Sequence, residues 1–150
     1  MEFVYLAVSG ENVDLDEITR TLNITPKYSY KKGEERFNRG ERIVYKEDRW
    51  IADIEINDDD KTEEEIARFI DSFYENKEYI RELSHKHCVE LEITAYPDIN
   101  QYHLHLSNES LGKLAELGVG IWFTCMLLEE FYTGEYVNNP QYSAYLKSKE

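Results

Sequence analysis

Two stretches of this chain share one local grammar, and it constrains the fold more than anything else in the sequence. Each has an extended apolar segment, a polar cap, and then a short helix with Leu or Ile at helical spacing. The first covers residues 3–24 (FVYLAVSGENVDLDEITRTLNI) and the second residues 102–123 (YHLHLSNESLGKLAELGVGIWF). In the first, residues 3–8 are apolar at every position, which predicts a strand buried on both faces at the centre of a sheet. Asp14 then reads as a helix N-cap, with Glu17 completing a capping box and Val13 and Ile18 placed as a hydrophobic staple. Leu15, Ile18 and Leu22 line one helical face, and the Thr25-Pro26 step ends the helix.

Between the two units the pattern alternates. Residues 28–47 are polar and aromatic and read as a ragged hairpin or long loop. Trp50, Ala52, Ile54 and Ile56 fall on one face of a strand, opposite Asp53 and Glu55. Asp58, Asp59 and Asp60 form a turn. Thr62 and Glu65 make a second capping box, opening a helix whose apolar stripe (Ile66, Phe69, Ile70, Phe73, Ile80, Leu83) runs to about Ser84. Val89, Leu91, Ile93 and Ala95 point inward on a further strand, with a turn at 97–101 after it; if that strand pairs with residues 102–107 as a hairpin, Glu92, Thr94 and Tyr96 share a face with His103 and His105. In the second unit, Ser107 or Asn108 caps a helix with Leu111, Leu114 and Leu117 as its buried stripe and Gly118 as its left-handed C-cap. Residues 121–128 are strand-like. The order β-α-β-β-α-β-β-α-β predicts a single α+β domain with one mostly antiparallel sheet. Its helices pack mainly on one face, in ferredoxin-like-related β-α-β units that are compatible with an internal duplication.

A chain of 150 residues can bury a core of its own, and 31 acidic against 17 basic residues give it a net charge of −14. A surface that negative repels phosphate backbones and anionic headgroups, so neither nucleic acid nor a membrane is expected as a partner. A basic protein, or self-association, is. Cys88 and Cys125 sit in strand-like runs and read as buried, reduced thiols. With no basic leader or membrane-length apolar run, the expected location is cytoplasmic.

Motifs that carry chemistry are sparse. His85-x-His87 and His103-x-His105 are two H-x-H pairs. On a strand, such a pair places both imidazoles on one face, and His103 and His105 with Glu92 form the candidate metal set. Arg36, Arg39 and Arg42, interleaved with Tyr28, Tyr30, Phe37 and Tyr45, form the one basic patch, and these arginines with Tyr30 are the candidate ligand-binding set. The run Asp58–Glu65 lacks the alternation of a calcium loop. Ser9-Gly10 lacks the further glycines and lysine of a phosphate loop. No cofactor is expected, and no set of residues argues for catalysis. Twelve tyrosines favour surfaces that bury area at low entropic cost while keeping a polar handle.

Read in order, VSGENVDLDEITRTLNITPKYSYKKGE, the Trp50 strand and LHLSNESLGKLAELGVGIWF resemble the DUF4279 family, small bacterial proteins of unassigned function. The marks are Ser9-Gly10, Asp16-Glu17-Ile18, Ile24-x-Pro26, Lys32-Gly33-Glu34, Leu106-Ser107 and Leu114-Ala115-x-Leu117-Gly118. The resemblance implies a bacterial α+β domain over residues 1–128, followed by a tyrosine-rich extension over residues 129–150, and it brings no catalytic residues with it. The functional expectation is a non-enzymatic protein-interaction module. The alternative is a small-ligand or metal-binding protein, including an enzyme, that uses one of the two candidate sets.

Overall fold

The centre of the molecule is β1 (Glu2–Gly10), the most continuously apolar strand of the sequence. In the computed structural model, which describes residues 2–38, 41–54, 56, 61–97 and 102–126, β1 is flanked on both sides. It pairs antiparallel with β5 (Asp48–Ile54) and with β6 (Cys88–Ala95). β2 (Tyr28–Tyr30) adds antiparallel to β5, and β7 (Gly120–Cys125) adds parallel to β6. The sheet order is therefore β2-β5-β1-β6-β7. A parallel neighbour needs a crossover connection, and α4 (Asn108–Leu117) lies between β6 and β7 in the chain. A separate hairpin of β3 (Glu35–Asn38) and β4 (Glu41–Val44) resolves the ragged stretch before β5.

α1 (Leu15–Leu22), α2 (Thr62–Tyr74), α3 (Lys77–Lys86) and α4 cover one face of the sheet. Val4, Leu6 and Val8 of β1, Trp50 and Ala52 of β5, and Val89, Leu91 and Ile93 of β6 all point into that layer and join one core cluster. The alternating residues expected to face inward do so. The Trp50 indole lies wholly inside and donates to Thr19 Oγ1 at 3.0 Å, which satisfies its one polar group. Among the described residues no helix is long and apolar enough to cross a membrane.

The caps divide into those that form as expected and those that do not. Asp14 Oδ1 accepts from Glu17 N at 2.9 Å, and Val13 and Ile18 are both buried. α1 nevertheless ends at Leu22, because Asn23 takes a left-handed conformation (φ 54°) before the Thr25-Pro26 step is reached. Thr62 is not a cap. It lies inside the first turn of α2, buried, with its hydroxyl donating to Glu2, while Lys61 holds the cap position without a side-chain capping hydrogen bond. The single helix expected over residues 62–84 is two, because the chain leaves helical geometry at Asn76 (φ −105°, ψ 36°). The apolar stripe hides this break, since Phe73 and Ile80 are two turns apart and fit one helix or two.

Around α4, Ser107 Oγ accepts from Ser110 N at 3.1 Å, and Gly118 closes the helix at φ 70°. A side chain at Gly118 would also bring its Cβ within 2.7 Å of Ser84 Oγ on α3. The buried stripe is Ser110, Leu114 and Leu117, and Leu111 is exposed. α4 packs against α2 and α3, which selects a face one residue away from the expected one.

Residues 102–107 form no strand. Both edges of β6 are taken by β1 and β7, so the expected hairpin has no place to form. The alternation survives, with Leu104 and Leu106 packed against the core and His103 and His105 outside. The second strand-cap-helix unit thus matches the first in its cap and helix but not in its leading strand. Both cysteines are free and exposed, against expectation. Cys88 starts β6 on the face away from the helices, and Cys125 ends a strand at the sheet margin. The turn at 58–60, Glu55, Arg39 and the segment 129–150 lie outside the described residues.

Candidate functional site

With the helices of the described residues on one side, the alternate residues of the strands form a second surface. Its rows follow from the ladder register. Tyr28, Ile51, Ala7, Glu90 and Gly120 stand side by side across five strands. On one side of that row are Tyr30, Arg49, Ser9 and Cys88; on the other are Asp53, Tyr5, Glu92 and Trp122. Aromatic side chains therefore rim a centre that holds charge.

That centre is an ion pair. The Arg49 guanidinium reaches diagonally past Ala7, a small residue 3 % exposed, and donates to Glu92 Oε1. Both side chains are largely shielded from water. Burial pushes the Glu92 carboxyl above its ordinary range, and the adjacent Arg49 offsets only part of that push. Arg49 Nε is buried and has no hydrogen-bond partner. A partly desolvated pair of this kind adds little to stability by itself, because losing water costs each ion about as much as the attraction returns. It does leave a charged group that is already partly dehydrated at the centre of this surface.

The rim is ordered by contacts of its own. Tyr30 stacks on Tyr45 with ring centroids 3.5 Å apart, and the Arg36 guanidinium lies 6.0 Å from the Tyr45 ring. Lys27 bonds Asp53 at 2.5 Å and sits 5.5 Å from the Tyr5 ring. Burial raises the phenols of Tyr5 and Tyr30, so both stay neutral hydrogen-bonding groups. The Cys88 thiol is also pushed up, first by burial and then by Glu90, which makes it a poor nucleophile despite its exposure.

The candidates read from sequence scatter across this frame. Tyr30 and Arg36 each lie against Tyr45 at the rim, and Glu92 lies at the centre. Arg42 pairs with Glu35 across the β3–β4 hairpin, and Arg39 is not described. His105 is held away from Glu92: its backbone N–H and ring Nδ1 both face Glu63, at 3.0 and 3.3 Å. His103 borders a small cleft with Glu2, Glu63 and Tyr102. Among the described residues no three His, Cys, Asp or Glu side chains gather closely enough to hold a metal ion. Arg49 was the residue missed. Its sequence signal was its position next to Trp50 on an alternating strand, which places it on the face opposite a buried indole.

Beside β2 lies an open cavity of about 510 Å³ bordered by Asn12, Asp14, Tyr30, Lys31 and Glu34. A neighbouring hollow is bordered by Glu11, Asn12, Lys31, Lys32 and Asp48, and the role of Asp48 there is structural. Asp48, buried, accepts from Val13 N and Lys32 N, each at 2.8 Å, and from Lys31 Nζ at 3.4 Å. These bonds, the Lys32 amide first, hold its carboxyl below the usual range and tie the β2–β3 loop to the entry of α1.

The family model of DUF4279, a domain of unknown function, matches residues 1–128, and the chain belongs to that family. No curated protein and no solved structure matches it.

Proposed function

We propose that this chain is a non-enzymatic interaction module that binds a basic protein partner through the open face of its sheet. The observation that carries the reading is the Arg49–Glu92 pair, partly stripped of water and rimmed by Tyr5, Tyr28, Tyr30 and Trp122. Tyrosine, tryptophan and arginine are the residues that concentrate binding energy at interfaces. A net charge of −14 favours encounter with a cationic surface. The ligand- and metal-binding alternative has less support, since Arg42 and His105 each have a carboxylate partner within the domain.

Without β3–β4 and α4–β7, the elements β1-α1-β2-β5-α2/α3-β6 pair antiparallel in the order β2-β5-β1-β6, the arrangement of a split β-α-β, ferredoxin-like unit. Such a unit commonly leaves one sheet face free. A duplication relating residues 3–24 to residues 102–123 rests on the shared caps at Asp14 and Ser107. A bacterial cytoplasmic location fits the acidic composition and belongs to the same proposal.

Copurification from the native cell tests the face directly. A basic protein retained by the wild type and by Glu78→Lys on α3, but lost with Glu90→Lys on the open face, is the expected result. Equal retention by both variants, or a monomer with no partner, overturns the reading.

A further inference from the structure

Among the described residues, the charged side chains that the sheet ladder turns to its open face are Arg49, Asp53, Glu90 and Glu92. Arg49 holds Glu92, and Lys27 holds Asp53. No ion pair among the described residues reaches Glu90. Its charge works against its neighbour instead. After burial, Glu90 adds to the upward push on the Glu92 carboxyl, against the pull of Arg49. The centre of the face thus sets two carboxylates against one guanidinium. A partner that covers this centre takes water from Glu90, and a carboxylate desolvated without a counter-ion is strongly unfavourable. Whatever binds here must bring a cation to Glu90.

The surroundings of Glu90 decide which cation fits. In the ladder it stands between Ala7 on β1 and Gly120 on β7. Gly120 is exposed and is not among the left-handed residues of the chain, so its backbone conformation does not demand glycine. A Cβ there would lie 3.5 Å from Glu90 Cγ and 3.9 Å from Oε1. The missing side chain leaves a slot beside the carboxylate. On the same face of β7, two residues or about 7 Å further on, stands Trp122, 60 % exposed. Its indole Nε1 donates to Thr124 Oγ1 at 3.1 Å, which fixes the ring. An ammonium could pair with Glu90 as a point charge. A guanidinium can bond the carboxylate along its edge and also lie flat on the indole.

We propose that a partner on the open face is anchored by one arginine side chain, which occupies the slot over Gly120, pairs with Glu90 and stacks on Trp122. This rests on the partner reading above and names the group that reading leaves open.

Heteronuclear NMR of the full-length protein tests the anchor with N-acetyl-arginine amide as the probe and N-acetyl-lysine amide, at matched ionic strength, as its control. The expected result is a saturable shift of the Glu90 amide and the Trp122 indole N–H with the arginine probe, and several-fold weaker binding of the lysine probe. Glu90→Gln, whose remaining spectrum reports its fold, should lose the saturable response to both. Trp122→Leu should keep the response at Glu90 and erase the preference for arginine. Shifts that stay linear or spread over the whole surface overturn the proposal. So does equal binding of the two probes to the wild type, or a Glu90→Gln variant that binds as the wild type does. A native partner retained equally by Glu90→Gln also overturns the anchor but leaves the open-face reading standing. Absence of any partner overturns that reading, and the arginine titration still decides the anchor.

Discussion

The two faces of the central sheet are built from the same strands and have almost nothing else in common. Toward the helices, β1 presents Val4, Leu6 and Val8, β5 presents Trp50 and Ala52, and β6 presents Leu91 and Ile93, all without exposed surface. Away from them, the same strands present Tyr5, Arg49, Asp53, Glu90 and Glu92. The inner face owes its stability to removing apolar area from water. The outer face holds a charge pair and aromatic rings whose burial is incomplete. The stabilising apolar core and the partly exposed, charged and aromatic surface are thus separated by a single residue step along each strand.

The separation can be broken most severely at Trp50. Trp50→Ala removes the largest fully buried side chain and leaves Thr19 Oγ1 without its donor, so it should lower unfolding free energy by about 3–5 kcal/mol in urea or thermal melts. A loss no greater than that of an outer-face substitution would mean the two faces are not energetically distinct.

Two carboxylates sharpen the contrast through pH. Asp48 is held below its ordinary value of 3.8, so its contribution is present above that value and is lost as pH falls through its folded-state value. Glu92 is raised above its ordinary value of 4.5, so the folded state binds its proton more readily, and stability declines as pH rises through that window. Asp48→Asn should cost about 1–3 kcal/mol at neutral pH, because it faces two backbone amides that both need an acceptor, and it should flatten the acid limb below pH 3.8. Glu92→Gln should flatten only the opposite slope just above pH 4.5. Slopes of the same sign for both residues would contradict the assignment.

The smallest effect is expected at the rim. Tyr28→Ser removes an exposed ring from an edge strand and should change stability by no more than about 0.5 kcal/mol. It should still weaken any partner bound to the open face. A large loss of stability would instead make Tyr28 part of the core.

Much of this was legible in the sequence where one local rule acted alone. Asp14, Ser107 and Gly118 behave as their cap chemistry dictates, and the alternation at Trp50 and at residues 89–95 names the inner face correctly. The misreadings share a cause: each position obeyed a local pattern that a neighbour overrode. Thr62 looked like a cap until Glu2 took its hydroxyl, and Leu111 looked buried until α2 and α3 chose the adjacent face. The His103–His105–Glu92 set assumed a hairpin that β7 displaced. Arg49 stayed hidden because no linear spacing connects it to Glu92, 43 residues away.

By itself the sequence determined the family, the α+β class, the helix caps and the polarity of each strand, because these depend on residues within one turn or one pleat of each other. Only the tertiary structure decided the sheet order, the break between α2 and α3, and the charged centre of the open face. Those depend on which strand lies beside which, and strand adjacency is set by packing between distant segments that no local periodicity encodes.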